Sequence, residues 1–416
     1  MAKRFLALDL GTTTLAGALL TPEGDVAAQA FLPNPQVREG KDVLTRLQAA
    51  AEGGGEKLQR LLARGINELC GRLVEMAGTT PDTIVAAAAA GNSAISALLT
   101  GREVTSLLFP PHRLSWHAGE ELDSRGLGLD LSVSLYLFPL VGGFVGGDLA
   151  AFLYAAEETP SPSLYLDIGT NAEIALNTGS RWWVTSAAAG PAFEGGNIAC
   201  GMAATFGAVE GVSLDGDRLR LQVKGGGPPR GLCGSGLAEA ISAGLEGGLI
   251  DSTGIIRSAA EMADNLSRYS VERNGERCLL LYRDAAGEIL LTQGDIRQFQ
   301  LAKGAVRAGI EALLDRAGLH SEDLRHLLVS GAFGLAIAPQ TLKKVAMLPE
   351  RVIDRVVFVP NGVLAGVGRL LTRATGREEV ARLAASLSVY PLSGSPVFER
   401  AFLRALDFVS QEMNQR

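Results

Sequence analysis

Hydrophobic and polar positions along the chain predict short buried strands that alternate with amphipathic helices. Residues 5–10 and 15–20 are apolar runs of strand length on either side of a short Gly/Thr turn. Apolar residues spaced near 3.6 positions apart predict helices within residues 41–77, interrupted by consecutive glycines. The same patterns predict strands at residues 84–90, 135–141, 164–167, 173–176, 326–330 and 355–359, helices at 92–99, 149–156, 235–247, 295–317 and 339–346, and a β-rich stretch at 181–230. Such alternation indicates layered α/β domains.

The strand-turn-strand at the start of the chain recurs in its second half. FLALDLGTTTLAGALL matches SLYLDIGTNAEIALN, so that the two copies of Asp-x-Gly-Thr begin at Asp9 and Asp167. The repeat predicts two similar domains that face each other, an N-terminal lobe at residues 1–160 and a C-terminal lobe at 161–416. A polar, proline-containing stretch at residues 157–163 marks the predicted boundary.

Each copy of Asp-x-Gly-Thr carries groups that suit a magnesium–triphosphate. Glycine lets the backbone approach a ligand, and turn amides and threonine hydroxyls can donate hydrogen bonds to phosphate oxygens. Asp9 and Asp167 are predicted to hold Mg²⁺ through water and to be catalytic. The predicted nucleotide contacts in the two turns are Gly11, Thr12, Thr13, Thr14, Gly169, Thr170 and Asn171. One copy is weak evidence because the motif is common in strand turns, but two copies in strand context favour a nucleotide site.

Between the two copies, Gly146-Gly147-Asp148 opens a predicted helix. Asp is a common N-cap, and the residues alone favour that role for Asp148. The alternative is that the Asp148 carboxylate orients or deprotonates an attacking water as a general base. The sequence has no GxxxxGK[ST] and no GxGxxG after a strand, which argues against P-loop and Rossmann nucleotide sites.

Small residues follow the strand predicted at residues 326–330. They leave room for a flat ring or a ribose, although a tight strand-to-helix turn is the alternative. The predicted nucleotide contacts there are Gly331, Ala332, Phe333 and Gly334. The later segment VLAGVGRLL suits close helix packing or an interdomain hinge. Glu194, in PAFEGG, could reach the predicted cleft or cap a turn.

Composition and charge narrow the class of function. The formal net charge is −7 with no basic block, which argues against a nucleic-acid partner. No apolar run is long enough to span a bilayer, and Asp9 interrupts the first one, which is typical of a strand rather than a signal peptide. Cys70, Cys200, Cys233 and Cys278 form no CxxC pair, which fits a reducing cytoplasm and argues against a zinc or iron–sulfur site within one chain. Buried or incidental thiols are the favoured interpretation, and a cluster shared between two subunits stays open.

The order of these motifs resembles that of the acetate and sugar kinase/Hsp70/actin superfamily. Residues 9–14, 146–148, 167–171, 331–334 and 362–368 resemble its phosphate-1, connect-1, phosphate-2, adenosine and connect-2 motifs. The resemblance implies an α/β fold of two actin/Hsp70-like (ribonuclease H-like) lobes with a nucleotide cleft between them. It implies a catalytic role for Asp148, alone or combined with capping, and contact of Lys303 with the nucleotide. Lys303 and Arg307, one helical turn apart, are otherwise typical of a solvated basic face.

More specific segments resemble the C-terminal ATPase region of the reductive activators of corrinoid enzymes. They are NPQVREGKDVLTRL, GNSAISALLTG, AAGPAFEGGNIACGM, LCGSGLAEAI and TQGDIRQFQLAKGAVRAGI, in the order of the family, and the resemblance covers residues 3–370. It implies ATP and Mg²⁺ as ligands, and ATP hydrolysis coupled to reduction of a Co(II) corrinoid to Co(I). The implied partner is a corrinoid protein or corrinoid methyltransferase, and the implied assembly is a homodimer.

The chain departs from this family in one respect. Typical members carry an N-terminal plant-type [2Fe–2S] domain with a C-x₄-C-x₂-C signature, and no such spacing occurs here. No iron–sulfur cluster is therefore expected within the chain. A separate ferredoxin-type donor supplies the electron, or the chain is part of a longer activator, or the electron-transfer role is lost. A small-molecule kinase and a nucleotide-sensing interaction module are the alternative functions on the same fold.

Overall fold

The computed structural model contains the alternating strands and helices that the pattern predicts, and it describes residues 2–40, 42–109, 112, 114, 116–263, 265–285, 287–331 and 337–409. The β-strands are β1 Arg4–Leu10, β2 Thr14–Leu20, β3 Val26–Pro33, β4 Ile84–Gly91, β5 Glu120–Leu122, β6 Leu135–Leu137, β7 Ser163–Ile168, β8 Ala172–Asn177, β9 Trp182–Ala187, β10 Ala208–Asp215, β11 Arg218–Val223, β12 Gly231–Leu232, β13 Ser270–Arg273, β14 Glu276–Arg283, β15 Glu288–Thr292, β16 His326–Ser330, β17 Val356–Phe358 and β18 Leu387–Val389. The α-helices are α1 Val43–Ala49, α2 Gly55–Met76, α3 Ser93–Thr100, α4 Thr105–Leu108, α5 Gly147–Ala155, α6 Gly234–Glu246, α7 Gln293–Ala317, α8 Pro339–Lys344, α9 Gly362–Thr372, α10 Gly376–Ser386 and α11 Pro396–Arg404. The predicted α/β class is confirmed.

The chain divides into two compact units. The first consists of Met1–Thr159, Arg181–Val184 and Asn361–Val389, and the second of Pro160–Ser180, Thr185–Pro360 and Tyr390–Arg416. The sequence predicts that residues 361–389 belong to the C-terminal lobe. In the structure, this segment belongs to the first unit. The physical reason is that α9 packs against α5 and β1, which are both elements of the first unit.

In the first unit, a mixed sheet with strand order β3-β2-β1-β4-β6-β5 carries the first Asp-x-Gly-Thr. Strand β1 pairs antiparallel with β2 and parallel with β4. Leu6, Leu8 and Leu10 of β1 belong to one apolar core together with leucines of α2. Because side chains alternate along a strand, Asp9 points to the face of the sheet opposite to Leu8 and Leu10.

In the second unit, the sheet that carries the second Asp-x-Gly-Thr has the same connectivity. Its order β17-β16-β7-β8 repeats the order β6-β4-β1-β2 of the first sheet. Asp9 and Asp167 are each the penultimate residue of the hairpin's first strand, with an antiparallel strand on one side and a parallel strand on the other. The repeat seen in the sequence is therefore confirmed as a duplicated strand arrangement.

Strands β13, β14 and β15 form a small antiparallel sheet that the sequence pattern did not predict. Their side chains are mostly exposed or half-buried, with glutamates and arginines at many positions. The apolar runs of β14 and β15, in which Leu279 and Leu291 are buried, are short, and short apolar runs do not distinguish a strand from a helix segment.

Among the described residues, no helix combines the length and the apolar character that crossing a membrane would require.

Candidate nucleotide site

The turn of the first hairpin, residues 11–13, is held by a glycine and by a buried asparagine. A Cβ on Gly11 would lie 2.5 Å from the carbonyl oxygen of Thr14, so a larger residue would force the turn to move. Asn34 Nδ2 donates to the Gly11 carbonyl at 2.9 Å, and the Asn34 backbone N–H donates to the Thr13 carbonyl at 2.8 Å. The turn is therefore shaped by the protein itself, in advance of any ligand.

Asn92 connects this turn to the start of α5. It follows β4 and is the N-cap of α3, where its Oδ1 accepts from the Ile95 N–H at 3.0 Å. Its Nδ2 donates to the Thr12 hydroxyl oxygen at 3.0 Å. A Cβ on Gly146 would lie 2.4 Å from Asn92 Cα and 2.8 Å from Asp148 Oδ1. The predicted phosphate-1 and connect-1 motifs thus meet at Asn92, whose role no local sequence pattern predicts.

Asp148 is the second residue of α5, and the N-cap of this helix is Gly146. The interpretation of Asp148 as the N-cap is therefore wrong. The Asp148 Oδ1 accepts from the Leu149 N–H at 2.8 Å. Burial raises the pKa of Asp148 to about 6, against the lowering effect of that hydrogen bond. A carboxyl group with this pKa is largely ionised at neutral pH and can still take up a proton readily, as a general base must.

The turn of the second hairpin is tied to Glu194. Thr170 Oγ1 donates to Glu194 Oε2 at 2.8 Å. The Asn171 carbonyl accepts from the Gly169 N–H at 3.0 Å, and the Thr170 carbonyl accepts from the Gly190 N–H at 2.9 Å. Glu194 is the last residue of a short 3-10 helix, and the Gly-rich segment PAFEGG was the sequence signal for it. The carboxylate of Glu194 therefore lies at the phosphate-2 turn.

Gly331 directly follows β16 and packs closely against β7, the strand that carries Asp167. Its φ is +92°, and a Cβ there would lie 2.4 Å from the Ile168 carbonyl oxygen and 3.0 Å from Asp167 Oδ1. Glycine is required at this position because the backbone has a positive φ and because the Ile168 carbonyl oxygen leaves no room for a Cβ. The other predicted residues of this motif, Ala332, Phe333 and Gly334, lie outside the described residues, so their nucleotide contacts stay predictions.

The structure contradicts the solvated basic face suggested for Lys303 and Arg307. Both side chains are buried, with relative exposures of 0% and 7%. Lys303 Nζ donates to the Asp407 carbonyl and lies 4.9 Å from the centroid of the Phe408 ring. Burial, and to a smaller extent Arg307, lowers the pKa of Lys303 to about 7. These contacts join Lys303 to the C-terminal segment of the second unit, and its role toward the nucleotide stays a prediction.

The small residues of α9 allow this helix to approach α5 closely. A Cβ on Gly366 would lie 1.8 Å from the Ala151 carbonyl oxygen, and one on Gly368 would lie 2.8 Å from Leu20 Cδ1. The close helix packing expected for VLAGVGRLL is confirmed. Through it, the helix that follows residue 361 supports the helix that carries Asp148.

The cysteines occupy separate buried or half-buried positions as free thiols. Cys200 Sγ donates to the Leu290 carbonyl at 3.0 Å, and burial raises the pKa of Cys200 to about 11. Cys233 Sγ donates to the Val209 carbonyl at 3.2 Å. These contacts favour structural thiols, because a reactive thiol needs a lowered pKa. Within the described ranges, no group of three or more His, Cys, Asp or Glu residues could hold a metal ion.

Comparison with known families finds matches over nearly the whole chain. The family described as "RACo middle region" matches residues 5–158, and the family described as "C-terminal domain of RACo the ASKHA domain" matches residues 161–416. These two segments meet close to the first boundary between the compact units, at Thr159 and Pro160.

Individual relatives are similarly described. The corrinoid activation enzyme RamQ of Eubacterium limosum is 30% identical over 381 residues, which covers 88% of this chain and 63% of that protein. The "[Co(II) methylated amine-specific corrinoid protein] reductase" of Methanosarcina barkeri is 28% identical over 301 residues, which covers 66% of this chain and 52% of that protein. The solved structure of a "reductive activator for corrinoid,iron-sulfur protein" superposes with a TM-score of 0.88 at 27% identity, over 98% of this chain and 66% of that one. The chain thus spans between half and two thirds of the length of these relatives.

Proposed function

The chain belongs to the RACo family, in which a middle region is followed by an ASKHA domain, and we propose that it hydrolyses ATP to drive reduction of a Co(II) corrinoid on a partner protein. The observation that carries this proposal is the similarity to the reductive activator structure, with a TM-score of 0.88 over 98% of the chain. The names of both curated relatives, which refer to activation or reduction of corrinoid proteins, support the same substrate class.

The first part of the proposal concerns nucleotide binding. Gly11 and Gly331 lie where a Cβ would collide with backbone, which supports turns shaped for close approach of a ligand. Bound Mg²⁺ would neutralise phosphate charge, and Asp9 and Asp167 are the residues that we assign to hold it. Each copy of the repeat contributes one of these carboxylates to Mg²⁺. Asp9→Asn and Asp167→Asn should therefore each weaken Mg²⁺-dependent ATP binding in calorimetry. Unchanged ATP affinity in either variant would contradict the assignment.

The second part concerns hydrolysis. We assign the general base to Asp148, whose pKa of about 6 leaves it ionised at neutral pH. The hydrogen bond from Leu149 orients one carboxylate oxygen, and the other can accept the proton of the attacking water. Asp148→Asn keeps the shape and the hydrogen bond but removes the base. Hydrolysis should fall by about 100-fold or more while ATP affinity stays within a few fold.

The third part concerns electron transfer. ATP and water yield ADP and phosphate, while one electron converts Co(II) to Co(I), so the protein needs an electron donor besides ATP. We propose a one-electron donor of the ferredoxin type that lies outside these 416 residues. The hydrogen-bonded thiols of Cys200, which is half-buried, and Cys233, which is buried, support this choice over a donor built from the chain's cysteines.

The test combines the purified chain with a Co(II) corrinoid protein of a methyltransferase system, ATP, Mg²⁺ and Ti(III) citrate as reductant. We expect ATP turnover to rise when the corrinoid protein is added, and the electron paramagnetic resonance signal of Co(II) to disappear only when ATP is present. Asp148→Asn is the matched control. ATP turnover that does not change when the corrinoid protein is added, or phosphate transfer to a sugar or short acid instead of water, would contradict the proposal.

Light scattering of the same preparation tests the homodimer that the family resemblance suggests.

A further inference from the structure

The hydrogen bond between Asn92 and Thr12 has a fixed direction. Asn92 Oδ1 accepts from the Ile95 N–H, so the Nδ2 amide is the group that faces Thr12 at 3.0 Å. An amide nitrogen can only donate. Thr12 Oγ1 must therefore be the acceptor in this contact, and its own proton remains available to a different acceptor. Among the hydrogen bonds of the described residues, the Thr12 hydroxyl takes part in this one, as the acceptor.

The equivalent threonine in the second hairpin is bonded in the opposite direction. Thr170 Oγ1 lies 2.8 Å from Glu194 Oε2. The Thr170 hydroxyl donates its proton to the Glu194 carboxylate in this contact. What this hydroxyl can offer to a further group is its oxygen lone pairs.

We propose that Asn92 and Glu194 are positioning residues that give the two Asp-x-Gly-Thr turns opposite hydrogen-bond polarity. Thr12 donates to a phosphate oxygen of the nucleotide, as the sequence predicts, whereas the Thr170 hydroxyl accepts from a water molecule in place of the phosphate contact predicted for it. The inference rests on the proposed ATPase function and assigns a separate task to each copy of the repeat. The first turn contributes to nucleotide affinity, and the second turn contributes to the orientation of water during hydrolysis.

A matched pair of variants tests the asymmetry. Thr12→Val and Thr170→Val each replace a hydroxyl by a methyl of similar size. Thr12→Val should weaken ATP binding by about 10- to 100-fold, as expected for a lost hydrogen bond to a charged acceptor. Thr170→Val should leave ATP affinity within about threefold and lower the maximal rate of hydrolysis instead, because its hydroxyl gives no proton to the phosphates. Equal effects of the two substitutions on affinity would overturn the inference.

Variants of Asn92 test whether it acts through Thr12. Asn92→Asp and Asn92→Ser both keep a good cap for α3, but the new carboxylate of Asn92→Asp forces Thr12 to give up its proton. Asn92→Asp should weaken ATP binding by about tenfold or more, and Asn92→Ser by less. In the Thr12→Val background the cost of Asn92→Asp should fall to the part that the added charge alone causes. An undiminished cost in that background would overturn the role of Asn92. Urea unfolding checks that each variant folds. If Asn92→Asp does not fold, Asn92→Ser takes its place, and its loss of ATP affinity should be smaller in the Thr12→Val background than in wild type.

Glu194→Gln provides the corresponding test in the second hairpin. Its amide can rotate to donate to Thr170, which reverses the polarity without a change in size. Hydrolysis should fall as in Thr170→Val, with ATP affinity unchanged, and a loss of affinity instead would overturn the assignment of Glu194.

If wild-type protein bound no ATP, the proposed function would fail and the polarity inference with it. If wild type binds ATP while the Thr12 and Asn92 variants bind equally well, only the polarity inference fails.

Discussion

Replacing Lys303 by methionine should stabilise the protein at neutral pH and remove a large pH dependence of its stability. The Lys303 side chain is fully buried on α7, with a relative exposure of 0%. Burial lowers its pKa from 10.5 to about 7, because the charged ammonium loses its hydration in the interior. Methionine has a similar length and an apolar stem, and it carries no charge that must be desolvated.

The magnitude follows from the two pKa values of Lys303. The folded pKa lies below the unfolded one, so the unfolded chain binds more protons between pH 7 and 10.5, and stability rises with pH across this window. A pKa difference of 3.5 (10.5 − 7), at about 1.36 kcal/mol for each pKa unit, corresponds to about 5 kcal/mol. Loss of the hydrogen bond to the Asp407 carbonyl, about 1 kcal/mol, offsets part of the gain in Lys303→Met.

Urea unfolding at pH 7, 8, 9 and 10 measures the free energy of unfolding of wild type and of Lys303→Met. The difference between the two values isolates Lys303, because the other titrating groups are common to both proteins. The variant should be the more stable at pH 7, and wild type should recover by about 1.4 kcal/mol for each pH unit. Lys303→Arg, which stays charged throughout, should show no recovery. Parallel stability curves for wild type and Lys303→Met would refute the reasoning. ATP titration of Lys303→Met also tests the predicted nucleotide contact, since a tenfold loss of affinity would support it.

Three further predictions concern the catalytic carboxylate, helix packing and the thiols. ATP hydrolysis should slow as the pH falls below about 6, because only the ionised carboxylate of Asp148 accepts a proton, and a rate that is flat from pH 5 to 8 would exclude it as the base. Gly366→Ala should destabilise the protein by roughly 3 kcal/mol or more in urea unfolding, because its Cβ would lie 1.8 Å from the Ala151 carbonyl oxygen. Gly71→Ala, where nothing lies within 4 Å, is the control and should be neutral or stabilising. Cys200 should resist a thiol-specific disulfide reagent in the native protein at pH 8, since its pKa is raised to about 11, and modification as fast as in urea would contradict its burial.

Several parts of the fold could be predicted from local sequence. The strand predicted at residues 326–330 coincides with His326–Ser330, and the helix predicted at 295–317 is present as Gln293–Ala317. Strong apolar periodicity marks both. The apolar runs of β14 and β15 are too short to show a period, and these two strands and β13 form a sheet by hydrogen bonding to one another.

The sequence by itself determined the duplicated hairpins and the types of chemical group that they carry. A strand, a tight turn and a second strand depend on residues that are adjacent in the chain, so the two copies of Asp-x-Gly-Thr were recognisable without a structure. Only the tertiary structure decided the hydrogen-bond direction at each threonine and the burial of Lys303. Thr12 takes its partner from a residue 80 positions away, Thr170 from one 24 positions away and Lys303 from one 104 positions away. Contacts at such separations depend on how distant segments pack, and local composition carries no record of them.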